Sequence, residues 1–168
     1  NKAIKNIKTP FFTRQDADDI SSKDRLAYLY TFLQNNKNYD FVSSKTASLH
    51  DRKIIFPKKF IINPKIQDFL YTFPFCNAPT LFRSKVLEKV KKFNESDQYK
   101  KRYEDYEFFF RCYLNNYVGK NLNKVTYYVN QNNNYHYKIS LSDRLFETRL
   151  KFEIYKKTDV KWYLLYIA

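Results

Sequence analysis

The apolar positions of this 168-residue chain change period several times. Leu26, Leu29, Tyr30 and Leu33 recur at helical spacing and predict a helix over 23–36. Ser21 and Asp24 suit a capping pair at its start. Val125, Tyr127 and Val129 alternate instead, which predicts an extended segment over 118–129. Shorter apolar runs predict a buried strand at 11–15, another at 39–43, and a strand pair over 45–56 that turns at His50-Asp51-Arg52. Residues 75–82 read as extended, interrupted by Pro79. Helices are expected at 64–71, 84–92, 104–116 and 141–157. The end of another is expected over 1–9, where Ala3, Ile4 and Ile7 share a side and Pro10 stops it. Residues 130–137 read as an Asn-rich loop. Strands and helices mix throughout, without an internal repeat or a linker, so a single α/β domain over 1–168 is expected, with a mixed sheet flanked by helices.

Composition narrows this picture. Apolar residues make up 43% of the chain, enough for a core and too many for a disordered tail. The formal net charge is +14, which favours polyanionic partners such as nucleic acid, anionic lipid or phosphorylated substrates. A Lys-rich, AT-biased genome produces the same skew. The lysines are scattered, with local density at Lys53-Ile54-Ile55-Phe56-Pro57-Lys58-Lys59 and from Lys85 to Arg102. Cys76 and Cys112 match no zinc spacing and fit a reducing compartment. His50 and His136 stand isolated in polar surroundings and read as surface residues. The 16 Tyr and 16 Phe read first as packing and second as stacking platforms. No apolar run approaches the roughly 20 residues of a membrane helix. Val160 to Ala168 reads as a packed helix end, an interfacial anchor or the start of a longer element. The chain contains no Met and begins in mid-pattern at Asn1-Lys2-Ala3-Ile4, so a piece of a longer protein is expected.

Three constellations carry candidate chemistry. Asp16-Ala17-Asp18-Asp19 packs three carboxylates into four positions at a strand end, where mutual repulsion raises their pKa values unless something positive offsets it. A hard divalent cation does so, and a solvated acidic turn is the plainer reading. A helix–loop–helix calcium site fits poorly, because Ser21 stands where the loop needs Gly and Ala27 where it needs Glu. Tyr103-Glu104-Asp105-Tyr106-Glu107 places acids in a helix's first turn, where the macrodipole favours them, and Glu107 pairs with Arg111 at i,i+4. Asn77-Ala78-Pro79-Thr80-Leu81-Phe82-Arg83 suggests a bend, with Arg83 binding an anion or capping the neighbouring turn.

Taken in order, these segments resemble the family 2 glycosyltransferases that build bacterial surface polysaccharides and lipooligosaccharides. Asp16-Ala17-Asp18-Asp19, Ser21 and Arg25-Leu26 match the family's acidic strand end and the helix after it. Ala78-Pro79-Thr80 and Arg83 match its His-Pro-Thr segment and the Arg that follows, with Ala78 in place of His. Lys92-Phe93-Asn94-Glu95 matches a Gly-Phe-Asn-Glu turn, with Lys92 in place of Gly. Glu104-Asp105-Tyr106-Glu107-Phe108 matches the Glu-Asp segment.

The resemblance implies a partial GT-A fold that lacks its N-terminal nucleotide-binding portion. Residues 1–22 would end the donor-binding part, 23–140 would form the acceptor side, and 141–168 the C-terminal helix. It implies a metal-dependent, inverting glycosyltransferase that takes a nucleotide-sugar donor and a glycan or lipid-linked acceptor. Mn²⁺ or Mg²⁺ would be held by Asp18 and Asp16. Asp19 would stand behind them and Arg25 on the donor side. Thr80 and Arg83 would face the acceptor, and Asp105, beside Glu104, would take the acceptor's proton. A cytoplasmic location at the inner face of the plasma membrane is expected, with peripheral contact to anionic lipid and no nucleic-acid partner. The alternatives are a basic, aromatic-rich nucleic-acid-binding module and an inactive truncated remnant.

Overall fold

A computed structural model describes residues 1–50, 53–55, 60–96, 103–130 and 140–158. Six strands form one mixed sheet. They are β1 (Phe11–Thr13), β2 (Ile20–Ser21), β3 (Phe41–His50), β4 (Lys53–Ile55), β5 (Leu81–Arg83) and β6 (Gly119–Asn130). The order is β1-β5-β3-β6-β2, and β4 pairs with β3 in a hairpin. The long strands β3 and β6 run parallel as the spine, and every other pair is antiparallel. The spine's register slips twice between Ser44 and Thr46, so Ser44 faces Leu122 while Thr46 already faces Tyr127. Extra residues of this kind bend and twist a sheet.

That bend decides where the acidic segment lies. β1 and β2 occupy opposite edges, yet only residues 14–19 join them. Four strand spacings of about 4.8 Å come to ~19 Å, close to the full reach of six extended residues. The segment is not fully extended, since the Asp19 amide turns back to the Asp16 carbonyl at 3.3 Å. The sheet therefore curls, and Asp16–Asp19 lies in the segment that joins its two edges.

Helices cover both faces. α1 (Arg25–Asn35) buries Leu29 and Leu33 against Val42, Leu81 and Leu122. The other face carries α2 (Val86–Val90), α3 (Glu104–Leu114), whose Phe108 and Phe109 pack on Phe82 and whose Phe109 packs on Phe41, and α4 (Leu141–Lys156), which joins the same core through Leu150 and Ile154. Neighbours in β3 and β5 thus point to opposite layers, as the two-residue period of a strand requires. α3 buries Tyr106, Phe108, Phe109, Phe110 and Cys112, so its aromatic run is core. Its Glu107–Arg111 pair forms at 2.5 Å, and Arg111 also donates to the carbonyls of Val90, the last residue of α2, and of Lys92 just after it. Ser140 caps α4 in a reciprocal capping box with Asp143.

Several expectations change. The helix end over 1–9 is a single 3-10 turn at Ile4–Asn6 with no buried residue, too short to lay an apolar stripe on the sheet. β1 is half-buried rather than buried, because an edge strand has one flank uncovered. Ser21 lies in β2 and donates to Gln15, while Asp24 holds the N-cap position without a side-chain cap bond, so the expected capping pair does not form. The separate strands over 39–43 and 45–56 begin as one ten-residue β3. Only Leu81–Arg83 of the stretch over 75–82 is strand, because residues 76–80 close a turn. The turn residues Asp51 and Arg52, most of the Asn-rich loop, His136 and Val160 to Ala168 lie outside the described residues, as does the His50 side chain. Among the described residues, no helix is long and apolar enough to cross a membrane.

Candidate active site

The loop Asp16–Asp19 is pinned at both ends and bare in the middle. The Asp16 amide donates to the Tyr127 hydroxyl at 3.2 Å, and the Asp16 carboxylate pairs with Arg14 at 2.7 Å. Gln15 spans the loop, donating to the carbonyls of Asp16 and Asp19. The Asp19 carboxylate accepts the Asn130 amide at 2.9 Å. Asp18 is exposed, and its carboxylate has no hydrogen bond or ion pair among the described residues.

Asp105 lies in the first turn of α3 and lines a cavity of about 330 Å³. Apolar walls come from Phe60, Ile61, Phe73 and Phe75, and polar groups from Ser44, Thr46, Thr72, Cys76 and Asn121. Asn121 fixes the wall by donating to the carbonyls of Ile61 and Pro74. Burial pushes Asp105 up to about 6. The Tyr106 amide, donating to it at 2.7 Å, pulls the other way, Glu104 next door adds to the rise and Arg14 opposes it. Glu104 itself is half-buried.

Cys76 ties the two acidic groups together. Its thiol is open to solvent within the cavity but hemmed in by protein, and it is pushed up to about 12 by burial, then by the charges of Asp105, Asp16 and Asp19. Arg14, paired with Asp16, is also felt by Asp105. The Cys76 thiol thus lies close enough to Asp105, Asp16 and Asp19 to feel all three charges, and of these groups Cys76 and Asp105 line the cavity.

Three other expected site residues do different work. Arg25 is buried, its guanidinium 5.1 Å from the Tyr127 ring centroid, and it donates to the Ala78 carbonyl at 2.7 Å and to the Arg14 carbonyl at 3.4 Å. It joins two loops beneath the cleft instead of standing open on the donor side, and burial lowers its pKa. Thr80 is fully buried and closes the turn after Cys76 by donating to that carbonyl at 2.5 Å, so it cannot meet an acceptor. Arg83 donates to the carbonyls of Tyr39 and Leu33, 44 and 50 residues away in the chain, at the end of α1 opposite the acidic loop. Arg83 therefore bonds backbone distant in the chain, not the neighbouring turn that the sequence suggested.

The acidic loop suits a cation only in part. No group of three or more His, Cys, Asp or Glu side chains is arranged to hold a metal among the described residues. Asp18 and the remaining oxygen of Asp16 are hard oxygen donors, suited to an ion that brings most of its ligands as water and diphosphate oxygens.

No protein-family model matches the sequence. An uncharacterized glycosyltransferase of Methanocaldococcus jannaschii is 26% identical over 121 residues, covering 70% of this chain and 40% of that protein. The crystal structure of S. aureus TarS 1-349 in complex with UDP-GlcNAc matches 98% of this chain and 48% of that one, at a TM-score of 0.69 and 21% identity. The same protein in complex with UDP matches at 0.67 and 22% identity, over 46% of its length. The chain has a glycosyltransferase fold. It resembles glycosyltransferases in sequence as well, and it spans less than half the length of these relatives. Within that fold, Cys76 in the cavity and Tyr127 and Arg14 at the acidic loop are the residues that the sequence did not single out as part of the site. Tyr127 carried a usable signal: it is the polar-tipped member of the Val125, Tyr127, Val129 alternation, and a buried Tyr hydroxyl needs a partner.

Proposed function

We propose that this chain is the acceptor-side part of a metal-dependent, inverting glycosyltransferase that moves a sugar from a UDP-linked donor to a hydroxyl of a glycan or lipid-linked acceptor. The observation that carries the proposal is Asp105, a carboxylate raised to about 6 on the wall of a cavity it shares with Cys76, whose thiol feels the charges of Asp16 and Asp19. A base whose pKa lies near the working pH is ionised in use and still accepts a proton readily. The donor class is supported by TarS, whose structures hold UDP-GlcNAc and UDP.

In this reading the acceptor sits in the cavity against Phe73 and Phe75, with its hydroxyl on Asp105. The hydroxyl proton passes to the Asp105 carboxylate, the acceptor oxygen bonds to the anomeric carbon, and the bond from that carbon to the diphosphate oxygen breaks, its electron pair leaving with UDP. One displacement from the opposite face inverts the anomeric centre. Asp18 and Asp16 would hold Mn²⁺ or Mg²⁺, which neutralises charge on the leaving diphosphate. Glu104 keeps the Asp105 carboxyl basic, and the apolar walls limit water. Mn²⁺-dependent binding of UDP by the protein that carries this acceptor-side part, followed by calorimetry, tests the reading. Binding lost in Asp18→Asn and kept in Asp105→Asn is expected, and Mn²⁺-independent binding, or none, overturns it.

A further inference from the structure

The acidic loop owes its shape to a residue that no part of the transfer reaction uses. Tyr127 is fully buried, and its hydroxyl accepts the Asp16 amide at 3.2 Å and the Gln15 side-chain amide at 3.4 Å. Three positions further along β6, the Asn130 amide holds the Asp19 carboxylate. One strand end thus grips the loop on both sides of Asp18. The Tyr127 ring is fixed in turn by the Arg25 guanidinium, which also donates to the Arg14 carbonyl just before the loop. The register slip in the spine puts Tyr127 opposite both Thr46 and Ser21, beneath the crossing segment.

We infer that Tyr127 is the positioning residue of the acidic loop, its hydroxyl fixing the backbone at Asp16 so that Asp18 is presented to a cation-bound nucleoside diphosphate. The inference rests on the transferase reading and assigns Tyr127 no contact with substrate. A loop that must bring three like charges together in four residues gains no order from the charges themselves, which drive it apart. Arg14 offsets the charge of Asp16, and the backbone of the loop is held by the Tyr127 hydroxyl below. Loss of one such contact leaves Asp18 chemically intact but spread over more conformations, so ligand binding must supply the ordering.

Tyr127→Phe removes the hydroxyl and keeps the ring under Arg25. Tyr113→Phe is the matched control, since Tyr113 donates its hydroxyl to the Pro64 carbonyl at 2.8 Å in the core. Mn²⁺ with UDP is titrated into each protein by calorimetry, beside thermal melts. Both variants are expected to melt somewhat lower. Only Tyr127→Phe is expected to bind Mn²⁺ with UDP more weakly, by about tenfold, the scale of one hydrogen bond. Equal affinity in Tyr127→Phe and the parent, or equal weakening in both variants, overturns the positioning role and leaves the transferase reading intact. Failure of the parent to bind, or binding that survives Asp18→Asn, overturns both.

Discussion

The chain's one glycine, Gly119, lies under the ring of Phe41. A Cβ at Gly119 would stand 2.0 Å from Phe41 Cε2 and 2.4 Å from Cζ. The two residues face each other at the start of the parallel spine. The glycine is needed for room, since its φ is not positive. Phe41 is fully buried against Phe75, Phe82 and Phe109, so the ring cannot swing away cheaply.

Gly119→Ala is therefore expected to destabilise the fold by about 3 kcal/mol, the upper range for overpacking. Denaturant titration measures it. Because the clash is with one side chain, Phe41→Leu combined with Gly119→Ala should recover part of the loss. A double-mutant cycle is expected to give a coupling above ~1 kcal/mol, and strict additivity would mean that Phe41 is not the obstacle.

Asp105 couples function to stability with opposite sign. Its carboxyl is raised from 3.8 to about 6 by burial, so the folded state holds the proton more tightly than the unfolded state does. This group's stabilising contribution is full below pH ~4, falls as pH rises through the interval to 6, and is lost above it. The resulting penalty at pH 7 is about 3 kcal/mol. Asp105→Asn should thus melt higher than the parent at pH 7 to 8, with the difference closing near pH 4, while transfer is lost. In the parent, kcat/KM should fall on the acid side with an apparent pKa near 6. A variant that is less stable than the parent at neutral pH would contradict the burial account.

What the sequence disclosed depended on how far each residue's partner lay along the chain. The Glu107–Arg111 pair was legible because i,i+4 spacing brings the two together on any helix. The helix at 25–35 was legible from the helical spacing of Leu26, Leu29, Tyr30 and Leu33. Arg25, Thr80 and Arg83 were not, because charge and order suggested ligands while their actual partners are carbonyls that only the folded chain supplies. Arg25 reaches Ala78 across 53 residues. Tyr127 reaches Asp16 across 111. The curl that makes this last contact arises from two slips in a parallel ladder, which leave no trace in the alternation of Val125, Tyr127 and Val129. The acidic loop and Asp105 stood out in the sequence by composition, and the cavity that Asp105 lines did not, because its walls come from five separate stretches.

Asp40 offers a test of the end of the sheet remote from the cleft. It is buried, and its carboxylate accepts the Val118 amide at 2.7 Å and pairs with Lys85 at 2.6 Å. Asp40→Ala leaves the Val118 donor without its partner and is expected to cost about 2–3 kcal/mol. Asp40→Asn keeps an acceptor in place and should cost less. Urea titrations of the two variants separate the hydrogen bond from the half-exposed ion pair, and equal losses would assign the effect to charge.

Asp18 and Asp16 should part company under substitution although they share one loop. Asp18 is exposed and without a partner among the described residues, so Asp18→Asn should leave stability within about 0.5 kcal/mol of the parent, as for other surface changes. Asp16 pairs with Arg14, whose charge also acts on Asp105. Asp16→Asn removes that competing carboxylate, leaves Arg14 free to act on Asp105 alone, and should lower the pKa seen on the acid limb of kcat/KM. Asp18→Asn should leave that limb where it is. Both variants should lose the rise in melting temperature that Mn²⁺ with UDP gives the parent, since ligand stabilisation scales with occupancy. Measuring pH profiles and melts side by side distinguishes a shared cleft from two independent acidic patches: only in a shared cleft does a change at Asp16 reach Asp105, 89 residues further along the chain.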